Sequence, residues 1–412
     1  MPLSVDVKTT LTLRVPHPRV ADEIVVYAPD GPERRDFLAL VERFNQRGTR
    51  WRADVITADD PLARLVDERR GDVVVLAGKN GGKARTIRRL HDAGFHVLAD
   101  KPWLVAPDDL DDVRASLAGW PLVTEIMTGR HDVAARMLKR LVDAPDVFGG
   151  FRAEAPSIEM DSVHQLEKLV DGAPLRRPWW FFDVGVQGRG IVDIPTHLVD
   201  RTQWLTDGVA PAEAPRLVSA RAWSTRVPLP SFRRITGARD VPAELRPLVD
   251  GDALDYTCNA ALEFRVGAVV ARASARWELT PAGGVDTSVL VAHGTRADIR
   301  LEQSARTGHR RQLVVEPHDD RVPRAVDELV RASQSEFPGL SVARREAGRS
   351  EIVIPAGLDG GHEAHFALVL DQFLRTIDER RWPADVAART LAKYAVLAEA
   401  AAATGTPARS PR

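Results

Sequence analysis

Between residues 23 and 127, short unbroken apolar runs alternate with stretches whose apolar residues recur at helical spacing. Ile24-Val25-Val26-Tyr27-Ala28 and Asp72-Val73-Val74-Val75-Leu76-Ala77 read as parallel strands buried on both faces, with further strands at Asp54 to Ile56, Phe95 to Ala99 and Pro121 to Met127. Phe37, Leu38, Leu40, Val41 and Phe44 mark one amphipathic helix and Pro61 to Arg70 a second. Ala84, Ile87, Leu90 and His91 mark a third, which should stop at Gly94. Strand, loop, helix and strand within residues 71–105 form a βαβ unit. Its right-handed crossover brings the loop after Ala77 and the residues after Ala99 to the carboxyl edge of one sheet, where ligands sit in open α/β folds.

The rhythm changes in the second half of the chain. Ala260 to Val266, Val269 to Leu279, Thr287 to His293 and Ala297 to Gln303 alternate apolar with polar residues. Turn signals at Gly267, Pro281 to Gly284 and Gly294-Thr295 separate them, so this part predicts a largely antiparallel sheet with one wet face. An alanine-rich amphipathic helix is expected over Ala384 to Thr404 and a disordered tail over residues 405–412. Thr10 to Val15 alternates like a strand but reads equally as the remnant of a first helix, and no glycine precedes Gly31.

With 412 residues, two domains are the expectation. Lys plus Arg (57) nearly cancels Asp plus Glu (58), which gives no support to a nucleic-acid or membrane role. A single cysteine, Cys258, excludes an intrachain disulfide and any cysteine-based metal site. No run approaches the ~18 apolar residues of a spanning helix, and Met1 to Val20 lacks the apolar core of a signal peptide, so a cytoplasmic location is expected.

The candidate chemistry collects at the predicted sheet edge. Gly78-Lys79-Asn80-Gly81-Gly82 is a loop whose backbone can approach a ligand closely. Asp100-Lys101-Pro102 ends the second strand of the unit, with Asp100 placed to orient the Lys101 ammonium and Pro102 to stop the strand. At the end of an earlier strand, Asp30 is either a ribose acceptor or a turn residue, and Arg34 on the next turn is placed to meet a 2'-phosphate. Arg130 and His131 are candidates for polar substrate groups, or serve as helix-capping and exposed positions. Trp179 and Trp180, followed by Phe181 and Phe182, offer a surface for stacking on a sugar ring, or fill a core or an oligomer contact. Gly188-Arg189-Gly190 leads into a predicted helix with Asp193 and His197 at an i, i+4 spacing, on one face. His362-Glu363-Ala364-His365 lacks the spacing that places two histidines one turn apart around zinc, so no metal is expected there.

Gly94-Phe95-His96-Val97, Asp100-Lys101-Pro102, the Gly188-to-His197 segment and Gly294-Thr295 to Glu302 together resemble the glucose-fructose oxidoreductase and inositol dehydrogenase (Gfo/Idh/MocA) family. That family carries Glu-Lys-Pro at the first site and G-G-x-x-x-D-x-x-x-H at the second. Asp100 here stands in the place of its glutamate, and Lys83 stands where a histidine is common. The resemblance spans roughly Ile24 to Ala400. It implies an α/β chain with an N-terminal Rossmann-like parallel-sheet domain over residues 1–120. A C-terminal α/β domain with a large, mainly antiparallel open sheet follows over residues 121–404 and walls the substrate pocket. It implies an NAD or NADP cofactor and hydride transfer to or from a secondary alcohol of a sugar, polyol or related molecule. By the same resemblance Lys101, Asp193 and His197 are catalytic, with His197 moving the proton and Asp193 partnering the substrate or the lysine. Gly78, Asn80, Asp100, Lys101, Asp30 and Arg34 face the cofactor, and the open sheet pairs copies of the chain into a homo-oligomer. The alternative is a binding or regulatory module that keeps the dehydrogenase fold without its chemistry.

Overall fold

A computed structural model describes residues 23–405, apart from 47, 155, 171–172, 209, 211–212, 281–283 and 359–360. The strand or helix remnant expected at Thr10 to Val15 and residues 406–412 of the expected tail lie outside the described residues.

The first part alternates strand and helix. Its strands are β1 (Glu23–Ala28), β2 (Arg52–Thr57), β3 (Val73–Leu76), β4 (His96–Ala99) and β5 (Val123–Glu125). Its helices are α1 (Pro32–Asn45), α2 (Pro61–Glu68), α3 (Lys83–Asp92) and α4 (Leu110–Ser116). β1 and β2 pair in parallel as one sheet, and β3, β4 and β5 form a second parallel sheet in that order. Local chemistry sets the helix ends. Asp60 accepts from Ala63 N at the start of α2. Gly94, at φ 82°, closes α3 as its sequence position predicts, with Phe95 N bonded to Leu90 O.

β4 is buried on both faces. Val97 and Ala99 pack with Ala84, Ile87 and Leu90 of α3, whereas Leu98 packs with Phe366, Val369, Leu370 and Phe373 of a helix from the far end of the chain. β3 departs from the expected two-sided burial, with Val73 and Val75 37% and 45% exposed. The reason is pairing: among the described residues β3 bonds only β4, which makes it an edge strand. On α1, Phe37, Val41 and Phe44 are buried as expected, but Leu38 faces outward.

The remaining helices are α5 (Val133–Val142), α6 (Val184–Gln187), α7 (Pro195–Thr206), α8 (Leu229–Thr236), α9 (Val322–Ala332), α10 (Gly361–Asp378) and α11 (Ala384–Ala403). The remaining strands are β6 (Ile158–Gln165), β7 (Leu169–Val170), β8 (Ala173–Pro174), β9 (Arg216–Pro228), β10 (Val249–Asp250), β11 (Ala253–Val266), β12 (Val269–Glu278), β13 (Thr287–His293), β14 (Ala297–Gln303), β15 (Gln312–Pro317), β16 (Ser341–Arg344) and β17 (Ser350–Val353). Apart from the small β7–β8 pair, they form one ten-stranded sheet, ordered β10-β11-β12-β6-β13-β14-β15-β17-β16 with β9 along β11. Among the described residues, only β12 and β6 run parallel within it. The inner face, with Ala260, Leu262, Phe264, Ala271 and Ile299, joins the main core with Val199 and Leu205 of α7 and Val396 and Leu397 of α11. Glu159, Arg272 and Glu263 lie on the opposite, open face. The alternation in β11 to β14 was legible, but β6 carries Glu159, Asp161, Ser162 and His164 among its apolar residues and gives no clean period.

Candidate active site

The site is built where β3 and β4 end. Past β3, Gly82 takes φ 75° to start α3, and Lys83 N bonds Asn80 O at 3.0 Å. Gly81 lies against α6: its N–H donates to Val186 O at 2.8 Å, and a Cβ there would meet Gly185 O at 2.9 Å. Asn80 is buried and donates from Nδ2 to Gln187 O at 2.7 Å. The loop that sequence assigns to a ligand is therefore also stapled to the second part of the chain.

Past β4, Asp100 and Lys101 point to different partners. Asp100 is buried and accepts a short ion pair from Lys83 Nζ, which also donates to Asn80 Oδ1 at 2.8 Å and Asp100 O at 3.2 Å. Burial pulls the Lys83 ammonium below its ordinary pKa, and the Asp100 charge opposes that pull. Lys101 turns the other way and forms a short ion pair with Asp193 Oδ1, with a second bond to Asp193 O at 3.3 Å.

Asp193 does not sit on the helix with His197, as the spacing predicted. It lies in the turn before it, because Pro195 occupies the first helical position of α7, where its missing N–H is harmless. His197 stands half-buried on the first turn, its N–H bonded to Ile194 O at 2.9 Å. The glycine turn ahead of it is a close approach to the sheet. Gly190 N donates to Thr257 O at 3.0 Å, and a Cβ on Gly190 would stand 2.0 Å from Cys258 O. The β9–β11 register slips between Tyr256 and Asn259, beside that contact.

Other sequence candidates fall elsewhere. Arg130 turns one edge of its guanidinium to Asp200, donating from Nε and Nη2 at 2.9 and 2.8 Å. His131 is half-buried, and burial first, then His365 and Arg130, lowers its pKa. His365 is buried on α10, whereas the His362 side chain lies outside the described residues. Among the described residues no cluster of three His, Cys, Asp or Glu could hold a metal ion. Asp30 is exposed, and Arg34 approaches it only to 3.4 Å. Of the four aromatics, Phe181 and Phe182 enter a core cluster with Phe232, Tyr256 and Trp277, and Trp179 packs on its edge. Trp180 is buried beside the loop, with Lys79 Nζ 5.7 Å from its ring centre, and its Nε1 has no acceptor among the described residues.

Sequence reading missed a buried polar group behind the lysine. Glu125 ends β5 and forms short contacts with Tyr394 and Lys393 of α11. Lys393 reaches Asp200 of α7 at 3.1 Å, and Tyr394 Oη accepts from Trp103 N at 2.9 Å. The only signal was a lysine and a tyrosine in a helix otherwise rich in alanine.

Residues 137–404 match the family described as "Putative oxidoreductase C terminal domain". A crystal structure of a "putative oxidoreductase" from Parabacteroides merdae is 32% identical, with TM-score 0.88, covering 96% of this chain and 94% of that one. The chain belongs to the Gfo/Idh/MocA family of oxidoreductases. More distant members share its fold. Levoglucosan dehydrogenase, solved with NADH and levoglucosan, is 17% identical with TM-score 0.57 over 98% of this chain and 94% of its own. A 3-ketoreductase from Actinomadura kijaniata, solved with NADP and TDP-benzene, is 13% identical with TM-score 0.55 over 94% and 91%. No curated protein matches in sequence.

Proposed function

We propose that this chain transfers a hydride between a secondary alcohol of a sugar, polyol or related molecule and NAD or NADP. The observation that carries the reading is the Lys101–Asp193 pair beyond the carboxyl end of β4, with His197 on the turn that follows. The neighbours solved with NADH or NADP support the cofactor class. The residues present suit its nicotinamide end: Gly78 leaves open space where a Cβ would stand, and Lys101, half-buried on Asp193, stands past the end of the adjoining strand. Bound there, NAD(P) supplies the hydride acceptor.

The chain's own groups manage the proton and the charge. As the carbinol C–H bond breaks and its electron pair leaves as hydride, the hydroxyl proton passes to His197 and the oxygen becomes a carbonyl. The Lys101 ammonium donates to that oxygen while it carries negative charge, and Asp193 holds the ammonium in place. In the reverse direction His197 returns the proton.

Fluorescence titration with NADH and NADPH tests the reading first, followed by turnover on a panel of sugars and polyols that includes levoglucosan. Binding with turnover is expected. Binding of neither dinucleotide would favour a binding module that keeps the fold, a reading motivated by the lack of any glycine before Gly31. Pairing of two copies through the open face of the large sheet belongs to the same proposal, and sedimentation equilibrium checks it.

A further inference from the structure

Behind Lys101, three charges and a tyrosine are buried together, with a half-buried arginine beside them. Glu125 and Asp200 supply two negative charges, and Lys393 and Arg130 two positive ones, so the group is neutral as a whole. Tyr394 is fully buried and stacked on Trp103, with ring centres 5.6 Å apart. Its hydroxyl donates to Glu125 and accepts from Trp103 N, two residues beyond Lys101. Lys393 then bridges Glu125 to Asp200, which lies one turn beyond His197 on α7. Burial would raise the Asp200 carboxyl, but Arg130 and Lys393 hold it far below the usual carboxylate range, so it remains charged.

Stability alone is a poor reason to bury such a group. Desolvating ions costs as much as their pairing returns, and packed apolar residues of the same volume would serve as well or better. What apolar packing lacks is direction. Directed bonds here reach both halves of the site: the Lys101–Trp103 segment through Tyr394, and α7 through Asp200.

We propose that Glu125, Lys393 and Tyr394 are positioning residues that fix Lys101 against Asp193 and His197. The inference rests on the proposed reaction for its purpose, but its geometry can be tested without substrate or cofactor. Removing the Tyr394 hydroxyl leaves a buried Trp103 N–H without its acceptor and takes the tyrosine donor from Glu125 Oε1, while Lys393 still holds Oε2, so the segment must shift or admit water.

Trace acetylation of the full chain with acetic anhydride, read lysine by lysine by mass spectrometry, reports how tightly Lys101 is held. Lys168, paired with Asp286 at the ends of β6 and β13 and outside the Glu125–Lys393–Tyr394 group, is the internal reference. In Tyr394→Phe, Lys101 should acetylate about 5- to 10-fold faster across pH 7 to 9 while Lys168 is unchanged. Glu125→Gln should move Lys101 in the same direction and decides the matter if Tyr394→Phe does not fold. Unchanged Lys101 in a folded variant overturns the proposal, and so does a rise shared equally by Lys168, which would mark general loosening. Failure of NADH and NADPH binding in the wild type counts against the redox reading and leaves this result standing. Where turnover is found, kcat should fall in Tyr394→Phe with little change in the dinucleotide KM.

Discussion

At the scale of single residues, two departures from the family pattern turn out to be one. Asp100 replaces a glutamate and Lys83 a histidine, and the shorter acid meets the longer base in a buried pair. Each was visible in sequence, but their contact was not, since it joins the start of α3 to the end of β4. Lys83→Met should cost about 3 to 5 kcal/mol in urea unfolding, because it strands a buried carboxylate. Lys83→His and Asp100→Glu should each destabilise, whereas the double variant should recover at least ~1 kcal/mol over their sum. Strict additivity would show that the two residues do not compensate. Lys101 and His197 carry a kinetic expectation: His197→Ala should keep dinucleotide affinity and lower turnover ~10²- to 10⁴-fold. Lys101→Arg should not restore what Lys101→Ala loses, because a planar guanidinium presents its donors differently. Near-normal turnover in folded His197→Ala would remove it from the proton path.

At the scale of elements, the segment from Gly188 to His197 shows what a motif conveys and what it hides. Its glycines read as a flexible turn, and its Asp and His as neighbours on one helix face. The structure makes the turn a tight contact with β11 and puts Asp193 outside α7. Neither fact is local, because the demand for glycine at position 190 comes from the Cys258 carbonyl in a strand that follows much later. Gly190→Ala must push the turn off β11, at ~1 to 3 kcal/mol for an overpacked site. The sole cysteine reports on this. Cys258 is buried, and burial pushes its thiol up to about 12, so in the wild type it should resist a disulfide reagent at pH 8 until the protein opens. In Gly190→Ala the thiol should react faster than the loss of global stability predicts. Equal reactivity at matched stability would mean that the turn and β11 part without cost.

At the scale of the whole molecule, the periods of the two halves were legible, but the ties between them were not. α10, from the end of the chain, covers the face of β4 that α3 leaves open, and α11 places Lys393 and Tyr394 against β5 and α7. Such ties use ionised groups, so the assembled protein should be sensitive to acid. Burial would raise the carboxyls of Asp200 and Asp286, yet Arg130 and Lys393 hold the first, and His164 and Lys168 the second, well below the ordinary range. A carboxyl depressed on folding binds its proton more readily in the unfolded chain. Its contribution is therefore complete above the unfolded pKa of ~4 and lost as pH falls toward the folded value. The urea midpoint should thus decline steeply from pH 5 to pH 3. Asp200→Asn should start from a lower midpoint and decline less, since one of the protons that drives the loss is gone. An unchanged slope in Asp200→Asn would show that the acid transition arises outside the joint between α7 and α11.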